Sequence, residues 1–151
     1  MKFITGNILD LAENGAFDVI IHGCNCETNM GAGLAKSIAE RYPAAEQVDN
    51  ATANISPAEK LGEFSGVMIN NVTIINAYIQ EHARGYGSGE TLVDYDAVRQ
   101  VFRSIADNFS GQRIAYPKLG AGLAGGDWNT IAEIIDEELA GEDHTLVIFN
   151  G

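Results

Sequence analysis

Apolar residues recur along this chain in two patterns, short continuous runs and helical repeats. The run Phe17-Asp18-Val19-Ile20-Ile21-His22 is typical of a strand buried on both faces of a sheet. Val98, Phe102, Ile105 and Phe109 are spaced by three or four residues, which predicts the buried face of a helix. By the same criteria the sequence predicts further strands over 1–5, 66–70, 72–78, 113–116 and 145–149, and further helices after Gly31-Ala32-Gly33 and after Asp127.

The ends of the predicted helices are marked by capping residues, glycine and proline. Asp94 and Asp127 are typical N-caps, because a short carboxylate side chain can accept from the free N–H groups of a first helical turn. Gly141 closes the last helix, and Arg41-Tyr42-Pro43 ends the first.

The remaining stretches are predicted as turns and loops. Residues 44–60 are polar and alanine-rich, with weak helical character around 57–60. Asn70-Asn71 between two strands indicates a hairpin, and the glycine-rich stretch 80–91 is expected to be a mobile loop. Strands that alternate with helices predict one three-layer α/β/α domain over 1–151, with a mixed, largely parallel central sheet.

Composition narrows the possible partners. The 151 residues include 9 Lys plus Arg against 21 Asp plus Glu, a net charge of −12, which disfavours a nucleic-acid polymer as partner. No apolar run approaches the roughly 18 residues of a membrane span, so we expect a cytoplasmic protein that binds no membrane. We also expect a monomer. Two cysteines, Cys24 and Cys26, are too few for a zinc site or a disulfide framework. We therefore expect reduced thiols and neither a metal nor another cofactor.

One short motif occurs twice, as Gly31-Ala32-Gly33-Leu34-Ala35 and as Gly120-Ala121-Gly122-Leu123-Ala124. Each copy lies between a predicted strand and a predicted helix, where glycine backbone and free N–H groups can hold a phosphate. The alternative is that both turns serve only tight packing of strand against helix. The second copy extends to a Gly-x-Gly-x-x-Gly pattern, but one helix and one strand follow it, which disfavours a dinucleotide fold. Neither copy has the Gly-Lys-Ser/Thr of a P-loop.

Four motifs, in order, resemble the macro domains, a family of ADP-ribose-binding modules. They are Gly6-Asn7-Ile8, then Val19-Ile20-Ile21-His22-Gly23-Cys24-Asn25-Cys26, then Met30-Gly31-Ala32-Gly33-Leu34-Ala35 with Arg41-Tyr42-Pro43, and finally Tyr116-Pro117-Lys118-Leu119-Gly120-Ala121-Gly122-Leu123. The Gly-Asn-Ile and His-x-Cys-Asn-Cys variants look most like the branch that hydrolyses ADP-ribose 1″-phosphate. The branch that removes ADP-ribose from glutamate is also similar, but uses a lysine that 80–91 lacks and an aspartate where this chain has Ala124.

The resemblance implies a role for each matching residue. Asn7 and Ile8 match the positions that read the adenine amino group, usually with aspartate, and the Asn7 oxygen is expected to accept that hydrogen bond instead. Asn25 matches the asparagine that holds the distal ribose, and Phe149 lies where the family closes over adenine. The ligand-binding residues implied in this way are Asn7, Ile8, Asn25, Met30, Gly31, Ala32, Gly33, Leu34, Lys118, Leu119, Gly120, Ala121, Gly122, Leu123, Phe149 and Asn150.

Candidate catalytic residues are few. His22 can exchange a proton at working pH and Asn25 can orient a hydroxyl or a water, although His22 can equally be a hydrogen-bonded histidine in a buried strand. His82 is a weaker candidate, and Asp127 is better explained as an N-cap. Cys24 lacks the Cys-x5-Arg phosphate loop of a cysteine phosphatase.

Two functions from different classes remain open on these residues. The favoured one, because His22 lies close to Asn25 in the sequence, is an enzyme that hydrolyses ADP-ribose 1″-phosphate to ADP-ribose and phosphate. The other is a module that binds ADP-ribose and performs no chemistry. A third, removal of ADP-ribose from modified macromolecules, requires help from groups of the substrate.

Overall fold

A computed structural model of the chain describes residues 1–83, 91–122 and 124–149. The strands are Lys2–Thr5 (β1), Val19–Asn25 (β2), Phe64–Ile69 (β3), Val72–Gln80 (β4), Arg113–Tyr116 (β5) and Asp143–Ile148 (β6). The helices are Ile8–Glu13 (α1), Gly33–Arg41 (α2), Pro43–Asn50 (α3), Pro57–Lys60 (α4), Tyr95–Asn108 (α5) and Trp128–Glu138 (α6).

The strands form one mixed sheet in the order β1-β6-β5-β2-β4-β3. Every neighbouring pair is parallel except β3 with β4, which is antiparallel. The β3–β4 connection is the predicted hairpin: Asn70 and Asn71 have φ of 50° and 69°, as a tight turn between antiparallel strands requires. The largely parallel sheet predicted from the sequence is confirmed.

Helices cover both faces of the sheet. Val98 and Phe102 of α5 and Ile131 of α6 pack with Ile21 on one face. On the other face, α1, α2 and α3 contribute their apolar residues to a second cluster around Ile20. This arrangement confirms the three-layer fold. Within the described ranges, none of the helices is both long and apolar enough to cross a membrane.

Two helices were not predicted, and local chemistry explains both. Asn7 caps the short helix α1 by accepting from the backbone N–H groups of Leu9 and Asp10. Pro43 ends α2 as expected, but it is also the first residue of α3, where the N–H that proline lacks would have no helical partner. Of the predicted loop 80–91, positions 84–90 lie outside the described residues, and Gln80 is the last residue of β4.

Candidate functional site at the carboxyl edge of the sheet

Five parallel strands end at the same edge of the sheet. This edge carries Asn25 at the end of β2, Gln80 at the end of β4 and Lys118 just after β5. Asn7 and Phe149 follow β1 and β6 at the same edge. Open α/β sheets bind ligands in the crevice beyond their carboxyl ends, so this edge is the first place to look for a site.

Two neighbouring cavities open at this edge. The first has a volume of about 440 Å³ and lies beyond the end of β2. The second, of about 750 Å³, lies beyond β1 and β6. Gly33, Leu34 and Pro117 line both cavities, so the start of α2 stands at their junction.

The N-terminus of α2 has free backbone donors at this junction. Its N-cap, Ala32, has extended φ and ψ and makes no side-chain capping hydrogen bond. Gly33, the first helical residue, has a φ of +58°, which favours glycine. Because the first N–H groups of a helix lack partners within the helix, those at the start of α2 are available to an anion placed between the cavities.

The two glycines of the second motif have different roles. Gly120, with a φ of +77°, packs on the core, where an added Cβ would lie 3.0 Å from Val93 and 3.1 Å from Ile131. Gly122 lines the first cavity, and an added Cβ there would meet nothing within 4 Å. Gly120 thus serves packing, as the alternative interpretation of the repeat expects, whereas Gly122 lines the first cavity and has open space beside it.

Asn25 shapes its own loop at the mouth of the first cavity. Its Oδ1 accepts from the backbone N–H of Glu27 at 3.0 Å and of Asn29 at 3.3 Å. Its Nδ2 donates to the carbonyl of Asn29 at 2.8 Å. An amide nitrogen carries two hydrogens, so Asn25 retains one donor for a ligand.

His22 is buried in β2 and uncharged. It is 2% exposed, and its Nε2 lies 2.6 Å from Asn76 Oδ1. The Asn76 amide nitrogen donates to the carbonyl of Ala45 and to Ser65, so its oxygen faces His22 and the ring proton is on Nε2. Burial lowers the pKa of His22 to about 4, although the Asn76 hydrogen bond raises it. His22 therefore does not change its charge near neutral pH, contrary to the prediction from the sequence.

The two cysteines are free thiols with raised pKa values. Burial raises the pKa of Cys24 well above its usual value and that of Cys26 to about 11, so both stay protonated at neutral pH. Cys24 Sγ lies 3.7 Å from His22 Nδ1. A protonated thiol is a poor nucleophile, in agreement with the sequence-based argument against a cysteine phosphatase.

The second cavity is lined mainly by apolar groups. Ile8, Leu9 and Val147 form part of its wall, and Phe149, 69% exposed, lies at its rim. Asn7 also lines this cavity, but its Oδ1 already accepts from two backbone N–H groups of α1, at 3.0 and 3.1 Å. Both lone pairs of this oxygen are therefore already used within α1, and the expected hydrogen bond from a base stays a prediction.

The structure brings most of the predicted site residues together. The predicted residues that line one or both cavities are His22, Asn25, Gly31, Ala32, Gly33, Leu34, Lys118, Leu119, Gly122, Asn7, Ile8 and Phe149. Met30 is 5% exposed and packs in the core, while Gly120 and Ala121 pack against the apolar cluster that contains Val93 and Ile131. Leu123 and Asn150 lie outside the described residues.

Sequence reasoning missed several polar residues of the site. Gln80 and Asn29 line the first cavity, and Ser37, Glu40 and Arg41 line the second. Gln80 is a polar residue at the end of a buried strand, a signal that could have identified it. The α2 residues are one helical turn apart, but only the packing of α2 shows that this face borders a cavity.

No protein-family profile matches the chain. An uncharacterized 17.5 kDa protein of Enterobacteria phage T4 is 27% identical over 140 residues, which cover 90% of this chain and 88% of that protein. Two ADP-ribose 1″-phosphate phosphatases, from Ajellomyces capsulatus and Aspergillus oryzae, are 40% and 38% identical over 45 and 48 residues. These matches span 16% and 22% of the phosphatases.

The structural similarities extend over nearly the whole chain. A protein of unknown function from Bacteroides thetaiotaomicron superposes with a TM-score of 0.85 and 27% identity, covering 99% of this chain and 97% of that one. The macrodomain of Thermus aquaticus DarG superposes with a TM-score of 0.75 and 20% identity, covering 99% of this chain and 97% of that one. Thermosipho africanus DarTG, solved in complex with ADP-ribose, gives 0.69 and 15% identity over 87% of this chain and 38% of that one. This chain therefore has the macrodomain fold, as its four motifs predicted.

Proposed function

We propose that this chain binds ADP-ribose across the two neighbouring cavities. The observation that carries the proposal is the uncapped N-terminus of α2 at their junction, with Gly33 lining both. A diphosphate at this position accepts hydrogen bonds from backbone N–H groups, which a chain with a net charge of −12 can supply without basic side chains.

The two cavities suit the two ends of such a ligand. The second cavity, with apolar walls and Phe149 at the rim, suits a flat heteroaromatic base. The first, with Asn25, Gln80 and Lys118 in its lining, suits a ribose rich in hydroxyl groups. ADP-ribose has a base and a ribose on opposite sides of a diphosphate, and Thermosipho africanus DarTG, to which this chain is structurally similar, was solved in complex with this ligand.

Calorimetric titration of the purified chain with ADP-ribose, beside a Gly122→Leu variant, tests the proposal. A side chain at Gly122 fills the first cavity without a clash, because its φ is not in the left-handed region and an added Cβ meets open space. We expect the variant to keep its melting temperature and to lose affinity by about a hundredfold or more. Gly33 is less suitable for this test, because any side chain there is strained at a φ of +58°.

The matched control is Ala53→Leu, which adds bulk at an exposed turn that lines neither cavity. We expect this variant to bind like the unmodified chain. NAD should bind more weakly than ADP-ribose, because the nicotinamide group has to enter the first cavity in addition to the ribose. Equal affinities for the two ligands, or unchanged binding in a folded Gly122→Leu protein, would contradict the proposal.

A second candidate function is hydrolysis of ADP-ribose 1″-phosphate, favoured by the sequence matches to two such phosphatases. In this reaction the oxygen of a water bonds to phosphorus, and the bond from phosphorus to the 1″ oxygen breaks. A proton passes to the departing oxygen, which leaves ADP-ribose and inorganic phosphate. Here Asn25 orients the substrate, and the uncharged His22 accepts the proton of the attacking water at Nδ1, the ring nitrogen without a hydrogen, and passes it to the departing oxygen.

Phosphate release from ADP-ribose 1″-phosphate tests this second function separately from binding. With His22 as a base of pKa about 4, turnover should be constant around neutral pH and fall only as pH approaches 4. His22→Gln should lower turnover by about a hundredfold, the usual scale for a lost general base, while ADP-ribose affinity changes little. Full turnover in this variant would make His22 structural, and no release at all would leave a binding module.

A further inference from the structure

The Asn7 side chain has its two ends in different environments. Its Oδ1 accepts from Leu9 N at 3.0 Å and from Asp10 N at 3.1 Å, which fixes the orientation of the amide, since only the oxygen can accept from these donors. Its Nδ2 therefore points away from the helix backbone. Among the described residues, no hydrogen bond from this nitrogen is found.

The polar side-chain group that Asn7 has left for a ligand is therefore a donor. Asn7 lines this cavity beside Ile8 and Leu9, with Phe149 at the rim. Of the two charged residues of α2 that line this cavity, Arg41 is engaged by Asp10 at 2.9 Å and Glu40 is exposed. An aromatic ligand in this cavity would meet apolar surface on its faces and the Asn7 N–H groups at its edge.

We infer that the second cavity recognises a purine through a hydrogen-bond acceptor on the edge of the purine ring. A 6-oxopurine such as hypoxanthine is then bound about as tightly as adenine. This inference rests on the proposed function and extends it to the class of base. An amide N–H can donate to the O6 of a 6-oxopurine or to a ring nitrogen of adenine. It cannot accept from the adenine amino group, which is the contact that would select adenine over hypoxanthine.

The matching variant is Asn7→Asp. Aspartate is as good an N-cap as asparagine, so α1 and the melting temperature should be preserved. Its second oxygen replaces the donor with an acceptor at the same place in the cavity. The variant should therefore favour adenine, whose amino group can donate, and disfavour a 6-oxopurine, whose O6 would face a carboxylate.

The experiment is calorimetric titration of both proteins with ADP-ribose and with IDP-ribose, the same molecule with hypoxanthine as base. We expect the unmodified chain to bind the two ligands within about threefold of each other, and Asn7→Asp to prefer ADP-ribose by about tenfold or more.

Each other outcome counts against the inference in a distinct way. If the unmodified chain prefers ADP-ribose by about tenfold or more, another group reads the base, and Glu40 in the same cavity is the first to test. The proposed function then stands and the inference does not. If both ligands bind alike to both proteins, Asn7 does not face the base. If neither ligand binds the unmodified chain, the proposed function and the inference both fail.

Discussion

The face of the sheet under α5 and α6 is packed mainly with apolar side chains, whereas the face under α3 and α4 contains a buried chain of polar groups. On the first face Ile21, Phe102 and Ile135 are 1% exposed or less, and a Tyr116–His144 hydrogen bond is buried with them. On the second face, hydrogen bonds join polar side chains of β2, β3, β4 and α3 one after another, and Lys60 of α4 lies over the Tyr78 ring.

The polar chain begins at His22 and ends at α3. Asn76 accepts from His22 and donates to Ser65 at 3.1 Å, and Ser65 is 2.7 Å from the Tyr78 hydroxyl. Tyr78 donates to Asp49 at 2.7 Å. Desolvation raises the pKa of the Asp49 carboxyl, an effect that the Tyr78 hydrogen bond opposes.

Lys60 connects this polar chain to the site. It is 2% exposed, its Nζ lies 4.6 Å from the centre of the Tyr78 ring, and it donates to the carbonyl of Cys26 at 3.2 Å. Cys26 directly follows Asn25 at the mouth of the first cavity. Hydrogen bonds are directional and apolar contacts are not. The polar face can therefore fix the position of the loop that contains Asn25, while the apolar face supplies most of the free energy of folding.

The largest effect on stability is expected from Phe102→Ala on the apolar face. This fully buried ring packs edge-on against Tyr116, with 5.8 Å between the ring centroids. Removing it should lower the free energy of unfolding by about 3–5 kcal/mol. Urea denaturation measures this loss, and titration of the folded variant should show unchanged ADP-ribose affinity. A drop in affinity like that of Gly122→Leu would mean that the two faces are not separate in function.

A smaller effect, dependent on pH, is expected from His22 on the polar face. Its folded pKa of about 4 lies below its ordinary value of 6.5, so the unfolded chain binds the extra proton between these values. The contribution of the uncharged His22 to the free energy of unfolding is complete above pH 6.5. It is lost as pH falls toward 4, and the total loss is about 3 kcal/mol.

The measurement is the free energy of unfolding of the unmodified chain and of His22→Gln from pH 7 to pH 4. The difference between the two proteins should shrink as pH falls, while Asp49, His144 and the other titrating groups are common to both. A difference that does not vary with pH would mean that His22 is not desolvated as the structure indicates.

The smallest effect on stability is expected from Lys60→Met, which keeps an unbranched side chain and removes the ammonium group. The carbonyl of Cys26 then loses its buried donor, at a cost of about 1–3 kcal/mol. ADP-ribose affinity should fall, because the loop that carries Asn25 is less firmly held. Lys36→Met, at an exposed position on α2, is the control for the change in net charge. Equal ADP-ribose affinity in Lys60→Met and Lys36→Met would mean that the buried polar chain does not influence ligand binding.

Local patterns predicted much of the fold. The apolar run of β2, the Asn70-Asn71 hairpin and the N-caps Asp94 and Asp127 each depend on residues a few positions apart, and the structure contains all of them. The N-cap role of Asn7 is equally local, since its partners lie two and three residues away. It was missed because the residue was interpreted only through its match to a ligand-binding position.

The sequence by itself determined the order of the elements and which loops reach the carboxyl edge of the sheet, because periodicity and capping act within a few residues. Only the tertiary structure decided what those residues can do. His22 owes its protonation state to Asn76, 54 residues away, and to the layers that exclude water from its ring. The repeated Gly-Ala-Gly-Leu-Ala motif places Gly33 at a helix start, Gly120 on the core and Gly122 on open space. Desolvation and steric contact depend on what lies opposite a residue, and that is set by the packing of the whole chain.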